Sequence, residues 1–295
     1  MSSLPPTFAI RRILVALDAS PHSLAALETA ADLASKMEAE LCGLFVEDVQ
    51  LLEMAASPYA KEIAYPAARE TPLTRTIMER KLRAQSEQIR GTLAAAAHRA
   101  RVRWSFQTIR GQVTSALRAA ASGNDIVAIG RLGWSLGRRL RIGSTALELA
   151  TSSIPLLLIS QRAVLANLRL LVYYDGSPAS KNALLFAAKL AAAGAKGVTA
   201  LVGIADYENK VAEIRRLLEG QAPDPRCRRI DLDDKMSLLR TIKEEGAVLL
   251  ILAGRQLLKD REAFEALLGE IEVPLLLLRD GFEQDETKSL LPVVG

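Results

Sequence analysis

Between positions 130 and 145, glycines, arginines and hydroxyl side chains follow one another in an order suited to holding a polyanion. The stretch reads Gly130-Arg131-Leu-Gly133-Trp-Ser-Leu-Gly-Arg138-Arg139-Leu-Arg141-Ile-Gly143-Ser144-Thr145. Glycines let a backbone approach a ligand closely. A Gly-Ser-Thr sequence at the start of a helix offers amides and hydroxyls that can cradle phosphate. Arg131, Arg138, Arg139 and Arg141 supply charge for the same anion. Asp18 closes an earlier apolar run and is suited to ribose hydroxyls, so the two segments together have the chemistry of a nucleotide site. Each has a plainer reading. Gly130 and Gly133 could merely permit a tight strand exit, the arginines could form a solvated face, and Asp18 could cap the helix that follows.

These residues need a sheet to position them. Ile13–Leu17 is too short for a helix and reads as a buried strand. Leu41–Val46, the alternating stretch Val102, Trp104, Phe106, Thr108, then Ile126–Ile129 and Pro155–Ile159 complete five strands. Helices are expected at Ser23–Met37, Thr76–Ala100, Val113–Ser122 and Ser144–Ser152, rich in good helix formers. Gln50–Arg75, with three prolines, reads as a long excursion after the second strand. Strands separated by helices imply parallel crossovers, hence an α/β doubly wound sheet covered on both faces. In such sheets ligands sit beyond the carboxyl ends of the strands, where the strand order reverses.

The plan occurs twice. Arg12-Ile-Leu-Val-Ala-Leu-Asp18-Ala-Ser-Pro21 is matched by Arg169-Leu-Leu-Val-Tyr-Tyr-Asp175-Gly-Ser-Pro178, and Ile-Pro-Leu-Leu-Leu-Ile159 by Val-Pro-Leu-Leu-Leu-Leu278. Strands of the second copy are expected at Leu170–Tyr174, Val198–Ile204, Arg228–Leu232, Val248–Ala253 and Leu275–Arg279, with a helix at Ala179–Ala193. The domains are read as 8–162 and 167–281. The second copy lacks the glycine spacing. Twelve residues before Pro274, as Gly143 lies twelve before Pro155, stands Glu262, an acid that would repel phosphate. From Gly254 to Glu262 is 8 residues, against 13 from Gly130 to Gly143.

Composition excludes several classes. The chain of 295 residues is 49% hydrophobic and 24% charged, a globular balance. Its longest apolar runs are about six residues, far below the roughly 20 of a membrane span, and no secretory leader is visible. The net charge of +4 is uneven: residues 1–162 carry 20 Lys and Arg against 14 Asp and Glu, and residues 163–295 carry 18 against 20. With aromatics at 4%, stacking on nucleic acid is disfavoured, and a compact anion site accounts better for the charge. Cys42 and Cys227 read as apolar filler of a reducing cytoplasm, and His22 and His98 have no partners at metal-ligand spacing. No nucleophile has a candidate base, and no metal site is expected.

The spacing Gly130-x2-Gly133-x9-Gly143-Ser144, the strand ending in Asp18, and Leu44-Phe-Val-Glu-Asp48 together resemble the universal stress protein family, and the repeat makes the resemblance a tandem one. The resemblance implies an adenine nucleotide alpha hydrolase-like fold, two five-stranded sheets of order 3-2-1-4-5, and ATP, with Mg2+ as an open companion. By that resemblance Ala16, Leu17 and Asp18 face the nucleoside, Val46 gives backbone contacts to adenine, and Gly130 borders the ribose. Gly133, Gly143, Ser144 and Thr145 hold phosphates, with Arg131 and Arg141 as neighbouring cations. Ala146 stands where such proteins commonly carry Ser or Thr, a lost hydroxyl that costs on the order of 1 kcal/mol. The last strands of the two copies are expected to pair as an internal pseudo-dimer, with further homodimerisation open. The implied role is regulation or stress resistance through nucleotide occupancy, without turnover as an enzyme. A nucleotide-independent scaffold and a slow ATPase are the alternatives.

Overall fold

A computed structural model of the chain describes residues 10–64, 69–132, 142–161, 163, 169–220, 225–231, 235–246, 248–253 and 261–278. The first half runs β1 (Arg12–Leu17), α1 (Pro21–Met37), β2 (Glu40–Asp48), α2 (Val49–Ala55), β3 (Lys61–Ala64), β4 (Arg69–Pro72), α3 (Arg75–Ala100), β5 (Trp104–Gly111), α4 (Val113–Ala121), β6 (Ile126–Gly130), α5 (Ser144–Ala150) and β7 (Leu156–Ile159). The second runs β8 (Arg169–Tyr174), α6 (Pro178–Ala192), β9 (Gly197–Gly203), α7 (Tyr207–Leu217), β10 (Arg226–Ile230), α8 (Lys235–Glu245), β11 (Val248–Ala253), α9 (Arg261–Glu270) and β12 (Leu275–Leu278).

The strands form one ten-stranded sheet of order β10-β9-β8-β11-β12-β7-β6-β1-β2-β5. Each half has the order third, second, first, fourth, fifth, and all its pairs are parallel. The halves meet antiparallel, with Leu158 opposite Leu275, Leu157 opposite Leu276 and Leu156 opposite Leu277. Both expected sheets are therefore present, fused edge to edge through their last strands. Runs of leucine and isoleucine suit this place, because a central strand is covered on both faces.

Alternation along the strands divides the core into two layers. Val15, Leu17, Phe45, Ile159, Val172 and Leu278 face one side, against α1, α3 and α6. Leu14, Leu44, Ile129, Leu158, Leu171 and Leu277 face the other, against α4, α5, α8 and α9. Each layer runs without interruption through both halves. Gly43 lets α3 pack closely on the sheet: a Cβ there would lie 2.5 Å from Leu93 Cδ2, which would have to shift.

The sequence expectation differs from the structure in two places. The excursion after β2 contains helix α2 and the antiparallel hairpin β3–β4, whose four-residue strands are too short to leave a periodic signal. The third strand of the second half begins two residues earlier than expected, at Arg226, an edge position where arginines are tolerated because they reach water.

The Asp-x-Ser-Pro repeat is a local folding device. In the first copy Asp18 Oδ1 accepts from the Ser20 amide at 2.9 Å, and Ser20 Oγ accepts from the Ser23 amide at 3.1 Å, which caps α1 with proline at its first position. In the second, Asp175 accepts from the Ser177 amide at 2.9 Å and Ser177 Oγ accepts from the Ser180 amide at 3.2 Å. The intervening residue is left-handed in both: Ala19 has φ 61° and Gly176 has φ 86°. Only the first pairs that conformation with a Cβ. Ala19→Gly should therefore raise stability by about 0.5–1 kcal/mol, since the strain removed exceeds the added chain entropy. Urea unfolding measures this, and a lower midpoint in the variant would contradict it.

Candidate functional site

At the carboxyl ends of β1 and β6, where the strand order of the first half reverses, a cleft of about 200 Å³ opens on the α4 and α5 side of the sheet. Its floor is apolar, formed by Ala16, Leu44, Val46 and Ile129, and α4 contributes Val113 and Leu117 from successive turns. Asp18, Ser20 and Ser23 stand at one lip, and Gly143, Ser144 and Thr145 at the other. Of the residues predicted from sequence, Ala16, Leu17, Asp18, Val46, Gly130, Arg131, Gly143, Ser144 and Thr145 all line this cleft. Gly133, Arg138, Arg139 and Arg141 lie outside the described residues.

Several of these residues have further duties. The carbonyl of Asp18 accepts from Gln85 Nε2 of α3 at 2.8 Å, so the longest helix of the first half braces the turn that carries the carboxylate. Gln85 could not be picked out from sequence, since nothing in helical periodicity distinguishes this half-buried glutamine from Gln88 on the same helix. Gly130 is needed first for packing: a Cβ there would lie 2.7 Å from the His22 carbonyl carbon and 2.8 Å from the Ser23 nitrogen. The Gly143 amide donates to the Arg131 carbonyl at 2.8 Å, so its part is to close the turn. The following amides of Ser144 and Thr145 belong to a first helical turn, whose N–H groups have no acceptor within the helix. Arg131 departs most from expectation. Its guanidinium donates to Ser160 Oγ at 3.3 Å and to the Leu268 carbonyl of the second half, so those donors are engaged away from any phosphate. Ala146, which replaces a hydroxyl, is buried against the cleft.

The second half differs from the first at the matching position of its first strand. Strand register aligns Ala16 with Tyr173, because Ala16 pairs with Leu44 and Tyr173 with Leu201 in equivalent places. Tyr173 is buried in the cluster that holds Leu201, Leu252 and Phe264. The ring thus takes up room that Ala16 leaves open. The same register corrects the loop comparison. Gly130 pairs with Ile159 and Ala253 with Leu278, so the residue matching Gly130 is Ala253 rather than Gly254. Glu262 is exposed in the first turn of α9.

Burial, reinforced by the nearby Asp175 carboxylate, pushes the Tyr173 hydroxyl up to about 12. Burial also pushes the Cys42 thiol up, away from nucleophilic use. Cys42 and Cys227 are both free thiols. Among the described residues no group of three His, Cys, Asp or Glu side chains is placed to hold a metal ion, and no helix is long and apolar enough to cross a membrane.

Residues 9–160 match the model of the Universal stress protein family. No curated protein matches the chain significantly. Among solved structures, a universal stress protein from Archaeoglobus fulgidus is 15% identical, with a TM-score of 0.70 over 92% of this chain and 98% of its own. A putative universal stress protein from Pseudomonas aeruginosa is 14% identical, with a TM-score of 0.54 over 92% of this chain and 94% of its own. At these identities the likeness speaks to the fold. A universal stress protein in complex with cAMP is 17% identical and covers 52% of this chain and 99% of its own, at a TM-score of 0.35 that carries no geometric argument.

Two outcomes follow from the geometry. Gly130→Ala should lose about 1–3 kcal/mol in chemical unfolding, because the added methyl meets backbone rather than a movable side-chain end; an unchanged midpoint would refute the packing role. Tyr173, with its folded-state value raised from 10.0 to about 12, contributes stability that is complete below pH 10 and is lost as pH rises towards 12. Tyr173→Phe should lessen the decline in melting temperature across that window, and equal declines would count against it.

Proposed function

The chain belongs to the universal stress protein family, and from that premise we propose that its first half, residues 8–162, binds an adenine nucleotide, with ATP as the ligand. The second half, residues 167–281, is a domain of the same plan without the phosphate loop. What supports the reading is the chemistry that converges in one cleft: an apolar floor of Ala16, Leu44 and Val46 for a base, the Asp18 carboxylate for ribose, and Gly143, Ser144 and Thr145 for phosphate. Mg2+ would enter with the phosphates it neutralises, since that lip offers hydroxyls and amides and no carboxylate cluster. The remaining phosphate contacts fall to Gly133 and Arg141, which lie outside the described residues.

Occupancy rather than turnover is the function assigned here. Binding alone accounts for the chemistry of the cleft, and slow hydrolysis would be incidental to it. The protein is a nucleotide-responsive regulatory or stress-resistance protein of the cytoplasm, with its internal pseudo-dimer as the basic unit.

The deciding measurement is calorimetric titration of ATP with Mg2+ into the wild type and into Ala16→Tyr, which copies Tyr173 into the open half. The wild type should bind one nucleotide per chain. The variant should remain folded and lose binding by at least tenfold, equivalent to about 1.4 kcal/mol. A wild type that binds no adenine nucleotide at millimolar ATP would leave the nucleotide-independent scaffold as the reading, and tight binding by Ala16→Tyr would move the site elsewhere.

A further inference from the structure

The cleft and the second half meet at one side chain. Arg131 directly follows Gly130, and its backbone is tied twice: its N–H donates to the Ile159 carbonyl at 2.8 Å and its carbonyl accepts from the Gly143 amide at 2.8 Å. One residue therefore fixes the end of β7 and closes the two stems of the segment on the phosphate side. The side chain runs to the other half. Arg131 is 8% exposed; Nη1 donates to Ser160 Oγ at 3.3 Å and Nη2 donates to the Leu268 carbonyl. Leu268 lies in the last turn of α9, among the carbonyls a helix leaves without internal partners, where a cation also meets the negative end of the helix dipole.

Two further observations give this contact direction. His22 joins the same group through its Nδ1, 2.8 Å from the Ser160 carbonyl, and His22 is also the residue whose backbone abuts Gly130. The second half has no matching arm, because the residue after Ala253, the counterpart of Gly130, is Gly254. The link therefore runs from the phosphate side of the first half to α9 of the second, and not the reverse.

We propose that Arg131 is a positioning residue that couples nucleotide occupancy in the first half to the stability of α9 in the second. The proposal rests on the nucleotide reading of the cleft and adds its regulation. A ligand that fixes the closure between residues 131 and 143 fixes the base of the guanidinium, and with it the end of α9. The coupling is reciprocal: whatever loosens α9 weakens the nucleotide by the same factor. The second half, closed to ligand by Tyr173, is in this view the element that senses occupancy next door.

The test is hydrogen–deuterium exchange on the full chain, with and without ATP and Mg2+, in the wild type, Arg131→Met and Ser160→Ala. Methionine keeps the apolar length of the stem and removes the donors. Without nucleotide, Arg131→Met should exchange several-fold faster in both 143–150 and 261–271, with Ser160→Ala faster in both by a smaller factor. With nucleotide, the wild type should gain protection at 16–20, 143–147 and 261–271. Arg131→Met should need more nucleotide and gain protection in the first two segments alone. Faster exchange in 261–271 with 143–150 unchanged would overturn the proposal, as would nucleotide protection of 261–271 persisting in Arg131→Met. A wild type whose cleft stays unprotected at millimolar ATP defeats the nucleotide reading instead, and the nucleotide-free comparison then judges the coupling by itself. Should Arg131→Met not fold, Ser160→Ala decides: faster exchange in both segments supports the coupling, and any other pattern refutes it.

Discussion

The antiparallel pairing of β7 with β12 is the contact on which the molecule depends. Each half by itself would end in a four-residue strand of leucine and isoleucine with one edge unpaired and both faces apolar. Such an edge invites uncontrolled association. Laid against each other, with Leu157 opposite Leu276, the two strands become the middle of a ten-stranded sheet, and both core layers pass through them. A fully buried leucine contributes about 1.5–3 kcal/mol, so eight such positions at one seam make the halves parts of a single folding unit rather than two beads. The contact of Lys36 Nζ with the Ala193 carbonyl, 3.0 Å, ties α1 to the end of α6 across the same seam.

This dependence explains how the second half can be kept while its first strand carries a buried tyrosine where the first half has alanine. Its place in the sheet requires apolar strands and the proline-led turn into β12, not an open pocket. Ala16 and Tyr173 occupy equivalent positions with opposite effects on the space beside them, and the surrounding topology is unchanged. The features retained in both copies are those with a folding role: the aspartate turn, the serine cap, the proline at the helix start. The features found in one copy alone, the glycine spacing and the Ser-Thr helix start, are those that border the cleft of the first half.

Much of this was legible in the sequence, for identifiable reasons. Buried parallel strands are short apolar runs, and a repeated Asp-x-Ser-Pro marks the same turn twice, so the doubly wound sheet and its switch-point cleft followed from pattern, and the strand order from the family resemblance. The cleft residues Asp18, Gly130 and Ser144 were legible because two strand ends and a helix start fix their positions, and Ala16 and Val46 through the family resemblance. Arg131 was misdirected, since sequence gives the charge of an arginine and not the way its long stem turns; the Leu268 carbonyl that claims it lies 137 positions away. In sequence Gly254 is the residue like Gly130, whereas the register that selects Ala253 is a property of hydrogen bonds between strands. Gln85 and the β3–β4 hairpin left no periodic trace, since each depends on a tertiary contact.

The burial of Tyr173 has a consequence for how the two halves would behave in a cell. A side chain that fills its own cavity acts as an occupant that never dissociates and is present at one copy per chain, whatever the metabolic state. In the second half the space beside β8 is thus taken by the chain itself, while the first half keeps an open cleft. A symmetric pair would divide a signal between two equivalent sites, with half-filled states in between. Here the two halves share one plan and one sheet without being equivalent at this position.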